Sequence, residues 1–332
     1  MRIGAVILVL LAFVLLSFGF GSGEVSPVVV LRYLFGATEL PDREHVEMVL
    51  WSLRLPRILG AVLVGACFGL AGALLQTITR NRLAETDLLG INGGAALGVV
   101  AGMAYVGAAT ATEHMLAAFV GALGGTLAVV VVARRGGETS SPLRLILAGL
   151  AIASVFQGVL GFILLEDQNH LDRYRFWVLG SLAGVRTSQL APALAGAVPG
   201  WVLAVATVRG CAALNLGDEI AENLGHRPGR TRLLAVLSVA LLTGTAVSLS
   251  GPVVLLGLVA PYAARHVERD RMGRFLLCSA LFGSGVLVVA DTLCRTIVRP
   301  YEAPASVLVA LVGAPLLIHI ARSPRPLAAL DR

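Results

Sequence analysis

The sequence predicts an all-α polytopic membrane protein with about ten transmembrane helices, one of them a half-length helix near residues 253–264. Three observations carry this. Of the 332 residues, 57% are hydrophobic and only 14% charged, and the mean hydropathy is +0.84, values outside the range of soluble domains. The charges collect in short polar segments between long apolar runs. Glycine is abundant at 38 residues while aromatics are 6%, the composition of helices whose backbones approach closely in a membrane.

Taken in order, residues 3–20 form a first apolar run after Arg2. It has the look of a signal peptide but is long and followed by many further runs, so it reads as a retained span. A polar segment, 21–53, leads to runs at 56–79, 88–106, 115–133 and 145–165. A polar connector at 166–189 precedes the run at 190–208, and the seventh run is 233–249. Residues 253–264 are too few for the roughly 20 needed to cross. Runs at 275–290 and 306–321 complete the series. Gly90, Gly94, Gly98 and Gly102 recur every four residues on the third run, a helix-packing ladder. The whole chain, 1–332, reads as one transmembrane domain.

All 26 basic residues are Arg; the sequence contains no Lys. A Walker A lysine, a Schiff-base lysine and pyridoxal phosphate chemistry are therefore excluded from this chain. If ATP drives the protein, a partner must bind and hydrolyse it. With the N-terminus in the cytoplasm and ten alternating spans, 17 Arg fall in cytoplasmic segments and 9 outside, counted by position, which obeys the positive-inside rule. Both termini are then cytoplasmic. The net charge of +6 follows from this bias and does not call for nucleic acid. The four Cys show no CxxC spacing, and the scattered His form no metal-ligand cluster. Span interiors are nearly free of charge, with Asp291 near the end of its run, which argues against proton coupling.

The polar stretch 214–232 interrupts two apolar runs on the cytoplasmic side. Asp218 suits the start of a short helix, with Glu219 favourable in its first turn and Gly225 as its stop. Leu216, Ile220 and Leu224 make one apolar stripe. Such a helix either lies among lipid headgroups or enters a groove on another protein. At the other face, Arg54 and Arg57 flank Pro56; they are interfacial anchors, or they pair with carboxylates of an external partner.

Residues 53–98 carry the most specific block. Arg54-Leu55-Pro56-Arg57 is followed by Gly65, Ala71-Gly72, Gln76, Asn81, Leu83-Ala84 and Leu89-Gly90. Further pieces are Leu147-Ala148-Gly149, Phe176-Trp177, Leu179-Gly180-Ser181-Leu182, Leu224-Gly225, Gly251-Pro252 and Gly257-Leu258-Val259-Ala260-Pro261. Arg265, Asp291, Arg295, Glu302, Pro304 and Gly313-Ala314-Pro315 close the series. This ordered set, over residues 50 to 320, resembles the FecCD-type permeases of bacterial ABC importers for iron(III)-siderophores, haem and vitamin B12.

The resemblance implies a vitamin B12-permease-like fold of ten helices in the bacterial cytoplasmic membrane. It implies a second permease subunit, identical or homologous, two ATPase subunits beneath, and an extracytoplasmic substrate-binding protein. ATP and Mg would be held by the partner ATPase, with no cofactor in this chain. It makes 214–225, with Leu216, Asp218, Glu219, Ile220, Leu224 and Gly225, the segment that couples to the ATPase. Arg54, Arg57 and Arg295 match positions that meet acidic residues of the binding protein. The cytoplasmic gate maps near Asn81 and Leu83 and near Ser140 and Ser141. The departures are Arg82 where the motif has Pro, Thr86 for a second Pro, Tyr262 for His, and Ser306 for Gly. The expected function is an importer permease, with ferric siderophore as the first substrate class and vitamin B12 or haem as others. An ion-coupled carrier acting without an ATPase is the reading from another class.

Overall fold

The computed structural model describes residues 2–21, 25–35, 42–135, 142–297 and 302–322, and among them all regular structure is helical. The order is α1 (Arg2–Gly19), α2 (Pro27–Leu34), α3 (Arg43–Met48), α4 (Leu55–Ile78), α5 (Ile91–Ala101), α6 (Ala111–Arg135), α7 (Pro142–Glu166), α8 (Gln168–Val178), α9 (Thr187–Leu214), α10 (Asp218–Asn223), α11 (Pro228–Ser250), α12 (Leu256–Val267), α13 (Met272–Ile297) and α14 (Ala305–Arg322). A π-helical turn, Val49–Arg54, joins α3 to α4, and another, Gly102–Val106, extends α5.

Among the described residues six helices are long and apolar enough to cross a membrane: Arg43–Ile78, Ala111–Ala133, Leu143–Glu166, Thr187–Leu214, Pro228–Ser250 and Met272–Ile297. Ile3–Gly19, Ile91–Val106 and Ala305–His319 are apolar but shorter. The two segments read as polar connectors contain helices. Ser26 caps α2, with Pro27 in its first turn, and the Asp167 carboxylate accepts from Asn169 N–H to start α8. Short capped helices like these are too short to read as spans and leave little periodic trace.

α4 is the central helix. Apolar nearly all round, it is buried along almost its whole length and packs against α13, α11, α12 and α9. α7 instead turns Leu147, Leu150, Val155, Phe162 and Leu165 outward, the lipid-facing side of a bundle. Small residues set the spacing within. A Cβ on Gly65 or Gly69 would strike the α13 backbone at Gly283 or Ser279, and one on Gly72 the Gly257 carbonyl of α12. In the four-residue ladder, Gly94 and Gly98 meet Gly121 and Ala117 of α6 in the same way, whereas Gly90 has φ +65° and opens α5.

This packing makes an expectation concrete. Gly72→Ala places a methyl group against backbone that cannot rotate away, so a loss of about 1–3 kcal/mol is expected. Gly158→Ala meets nothing within 4 Å and is expected to be neutral or stabilising by up to about 1 kcal/mol through helix propensity. Thermal melting of the two detergent-solubilised variants compares them directly. Equal midpoints would contradict the close packing of α4 on α12.

Candidate functional site

Two charged clusters sit at opposite ends of α4. Arg57 and Arg80 are 23 residues apart by numbering, about 35 Å of helix at 1.5 Å per residue, a little more than the hydrocarbon thickness of a bilayer.

At the first end, Arg57 embraces Asp291: Nε donates to Oδ1 and Oδ2 at 3.0 Å each, and Nη2 to Oδ1 at 2.8 Å. Its Nη1 donates to Glu302 Oε2 at 2.6 Å. Arg295 meets the far side of Asp291, Nε to Oδ2 at 3.1 Å, and reaches Ser17 Oγ at 2.7 Å. Arg54 donates to the carbonyls of Phe18, Gly19 and Val25 at 3.0, 3.2 and 3.0 Å. The last turn of α1, which has no partner for its final carbonyls, is thereby satisfied by an arginine from the start of α4. Together these bonds tie α1, α4, α13 and the segment before α14.

These arginines are held within the chain. Arg54, Arg57 and Arg295 are 4%, 7% and 2% exposed, and their guanidiniums turn inward to groups of the same chain. Buried charges must be paired; Asp291 pairs with Arg57 and Arg295, and backbone carbonyls satisfy Arg54. The three arginines brace this end of α4.

At the other end, Asp218 receives Arg80 Nη2 at 2.7 Å and Arg232 Nη2 at 2.9 Å on one oxygen, Oδ1. Arg80 also donates to the Leu214 carbonyl from Nε and Nη2, at 3.0 and 2.7 Å. α10 is thus fixed to α4, α9 and α11 at once. Gly217, with φ +128°, occupies the N-cap and Asp218 is the first helical residue; its carboxylate holds arginines instead of capping. Gly225 has φ +80°, the left-handed conformation that ends a helix. Ala221 is the buried contact of α10. Leu216, Ile220 and Leu224 remain 62%, 46% and 60% exposed, and Glu219 is exposed beside them. A rigidly mounted helix thus presents an apolar stripe that stays exposed among the described residues.

Asn81 and Leu83 lie between α4 and the 3₁₀ turn Thr86–Leu89, both exposed at least in part. The Asn81 side-chain oxygen accepts from Leu83 N–H at 2.9 Å, a local turn. Ser140 and Ser141 lie outside the described residues. The sequence reading missed Glu85, whose carboxylate accepts from Leu255 N–H and so caps α12. Leu255 is held at φ +66°, unusual for a residue with a Cβ. Burial raises the Glu85 carboxyl above the usual carboxylate range; the Leu255 N–H opposes the rise and Asp87 adds to it. Gln76 joins the same region, accepting from Arg265 Nη2 at 2.9 Å. Partners 138 to 189 residues apart leave no local signal. Among the described residues, no group of three or more His, Cys, Asp or Glu is placed to hold a metal ion.

The model of the FecCD transport family matches residues 8–323. The ferric enterobactin transport system permease protein FepD of Escherichia coli (strain K12) is 36% identical over 316 residues, 95% of this chain and 93% of that protein. The Fe(3+)-citrate import system permease protein YfmD of Bacillus subtilis (strain 168) is 34% identical, over 94% and 91%. A solved structure described as an inward-facing conformation of a metal-chelate type ABC transporter superposes with a TM-score of 0.81 at 25% identity, covering 94% of this chain and 96% of that one. One end of α4 braced by buried arginines, a mounted apolar stripe at the other and matches over more than nine-tenths of the chain lead to one assignment: the chain belongs to the FecCD transport family, the membrane-spanning permease subunits of ABC importers, in which ATP is hydrolysed by partner ATPases.

Proposed function

We propose that this permease carries a ferric siderophore or a related iron(III) chelate across the bacterial cytoplasmic membrane. Relatives that match over more than nine-tenths of the chain are named for ferric enterobactin and Fe(3+)-citrate, which supports iron chelates over vitamin B12 and haem. Ten membrane segments, with α12 as the half-length one, place both termini and α10 in the cytoplasm. The stripe Leu216, Ile220 and Leu224 then enters a groove on the ATPase, and Asp218 with Arg80 and Arg232 transmits its movement to α4 and α11. The observation that carries this reading is the exposed stripe on a helix anchored at three points. A second permease subunit lines the pathway, and the gate is formed by Asn81 and Leu83 together with Ser140 and Ser141. An extracytoplasmic binding protein delivers the chelate to the mouth braced by Arg54, Arg57 and Arg295.

The substrate class is tested on the binding protein that copurifies with the permease. Its intrinsic fluorescence is titrated with ferric catecholate, ferric citrate, ferric hydroxamate, cobalamin and haem. Saturable quenching by a ferric chelate is expected; saturation by cobalamin or haem alone would overturn the proposal.

A further inference from the structure

Beside α10, the cytoplasmic-side ends of α4, α9, α12 and α13 enclose a cavity of about 560 Å³. Four arginines line it, Arg80, Arg82, Arg265 and Arg269, against one carboxylate, Asp270. Arg80 is committed to Asp218. Among the described residues the other three form no salt bridge. Arg265 is half-buried, donates to the neutral Gln76 amide and lies 5.0 Å over the Phe275 ring. The charges acting on it, those of Arg82 and Arg269, are both repulsive.

The cavity is continuous with the apolar stripe, because Leu216 belongs to both and Asn215 and Gly217 complete that wall. A protein seated on the stripe closes the cavity mouth. Closure removes water from three guanidiniums, and an unpaired charge taken out of water is strongly unfavourable. The covering protein must therefore bring negative charge, and carboxylates match guanidinium geometry. We propose that this cavity receives one or more Asp or Glu side chains of the ATPase, which pair with Arg82, Arg265 and Arg269 and set the register of docking. This rests on the coupling reading of the stripe: the stripe supplies adhesion and the cavity supplies charge-dependent selection.

The test measures binding of the purified cognate ATPase to the purified, immobilised full-length permease at low and high salt. Arg82→Glu and Arg269→Glu change side chains at the rim and keep the brace at Asp218. Each is expected to weaken binding about tenfold or more at low salt and to flatten the salt dependence shown by the wild type. Leu224→Asp is measured alongside and is expected to lose the ATPase at any salt. If Leu224→Asp binds as wild type, the coupling reading fails. If Leu224→Asp loses the ATPase while both arginine variants match the wild type in affinity and salt slope, the cavity proposal alone is overturned. It is equally overturned if the arginine variants bind the ATPase normally but lose a wild-type preference for vesicles containing phosphatidylglycerol, which would make the occupant a lipid headgroup. Should a Glu variant not fold, Arg82→Gln and Arg269→Gln give the same readout: a reduced salt slope supports the proposal and an unchanged one overturns it.

Discussion

Leu224→Asp is expected to yield a permease that inserts and folds normally but no longer retains its ATPase on purification. Leu224 ends the stripe and is 60% exposed, so the fold has little to lose there. In the assembled transporter, burial of a Leu side chain contributes roughly 1.5–3 kcal/mol. The Asp variant forfeits that and forces a carboxylate into an apolar groove, which costs more. The anchors of α10, Asp218 with Arg80 and Arg232 and the buried Ala221, are untouched. Recovery of the ATPase should therefore fall to background while the melting midpoint of the permease and its binding-protein docking stay at wild-type values. Equal ATPase recovery from variant and wild type would return α10 to the headgroup plane.

Asp291→Ala is expected to have the largest effect on folding. Its carboxylate holds Arg57 on one side and Arg295 on the other, with both guanidiniums almost wholly enclosed. Removing one partner of a buried pair typically costs about 3–5 kcal/mol because the remaining charge stays buried without compensation. Glu302 still reaches Arg57, so Arg295 bears most of the loss. Asp291→Asn keeps an acceptor and should lose less. Yield and monodispersity after detergent extraction read both variants. A normal Asp291→Ala protein would show that the brace is dispensable and would leave Arg54, Arg57 and Arg295 to be explained by contacts outside the chain.

These two ends were unequally legible. The stripe at Leu216, Ile220 and Leu224 is a local pattern, and Gly225 is a local stop, so both can be read from consecutive residues. Gly94 and Gly98 declare themselves by spacing. The brace does not: Arg57 and Asp291 lie 234 residues apart, and no window of sequence links them. From sequence Arg54 and Arg57 read as interfacial anchors or as partners of external carboxylates; within the chain Asp291 holds Arg57 and the carbonyls of Phe18, Gly19 and Val25 hold Arg54. Asp218 was legible as a helix-starting residue but not as the joint of three helices, because Arg80 arrives from the end of α4. The helices α2, α3 and α8 were hidden in segments whose polarity reads as connector. Ser140 and Ser141, half of the expected gate, lie outside the described residues.

The central claim, import driven by a partner's ATP hydrolysis through this permease, is tested most directly by reconstitution. Proteoliposomes holding the permease, its second subunit and its ATPase are given the binding protein loaded with radiolabelled ferric chelate. Accumulation is expected only with ATP and Mg inside the ATPase-facing compartment, and it should vanish with Leu224→Asp. Uptake by the permease without the ATPase, driven by a proton or sodium gradient, would contradict the account.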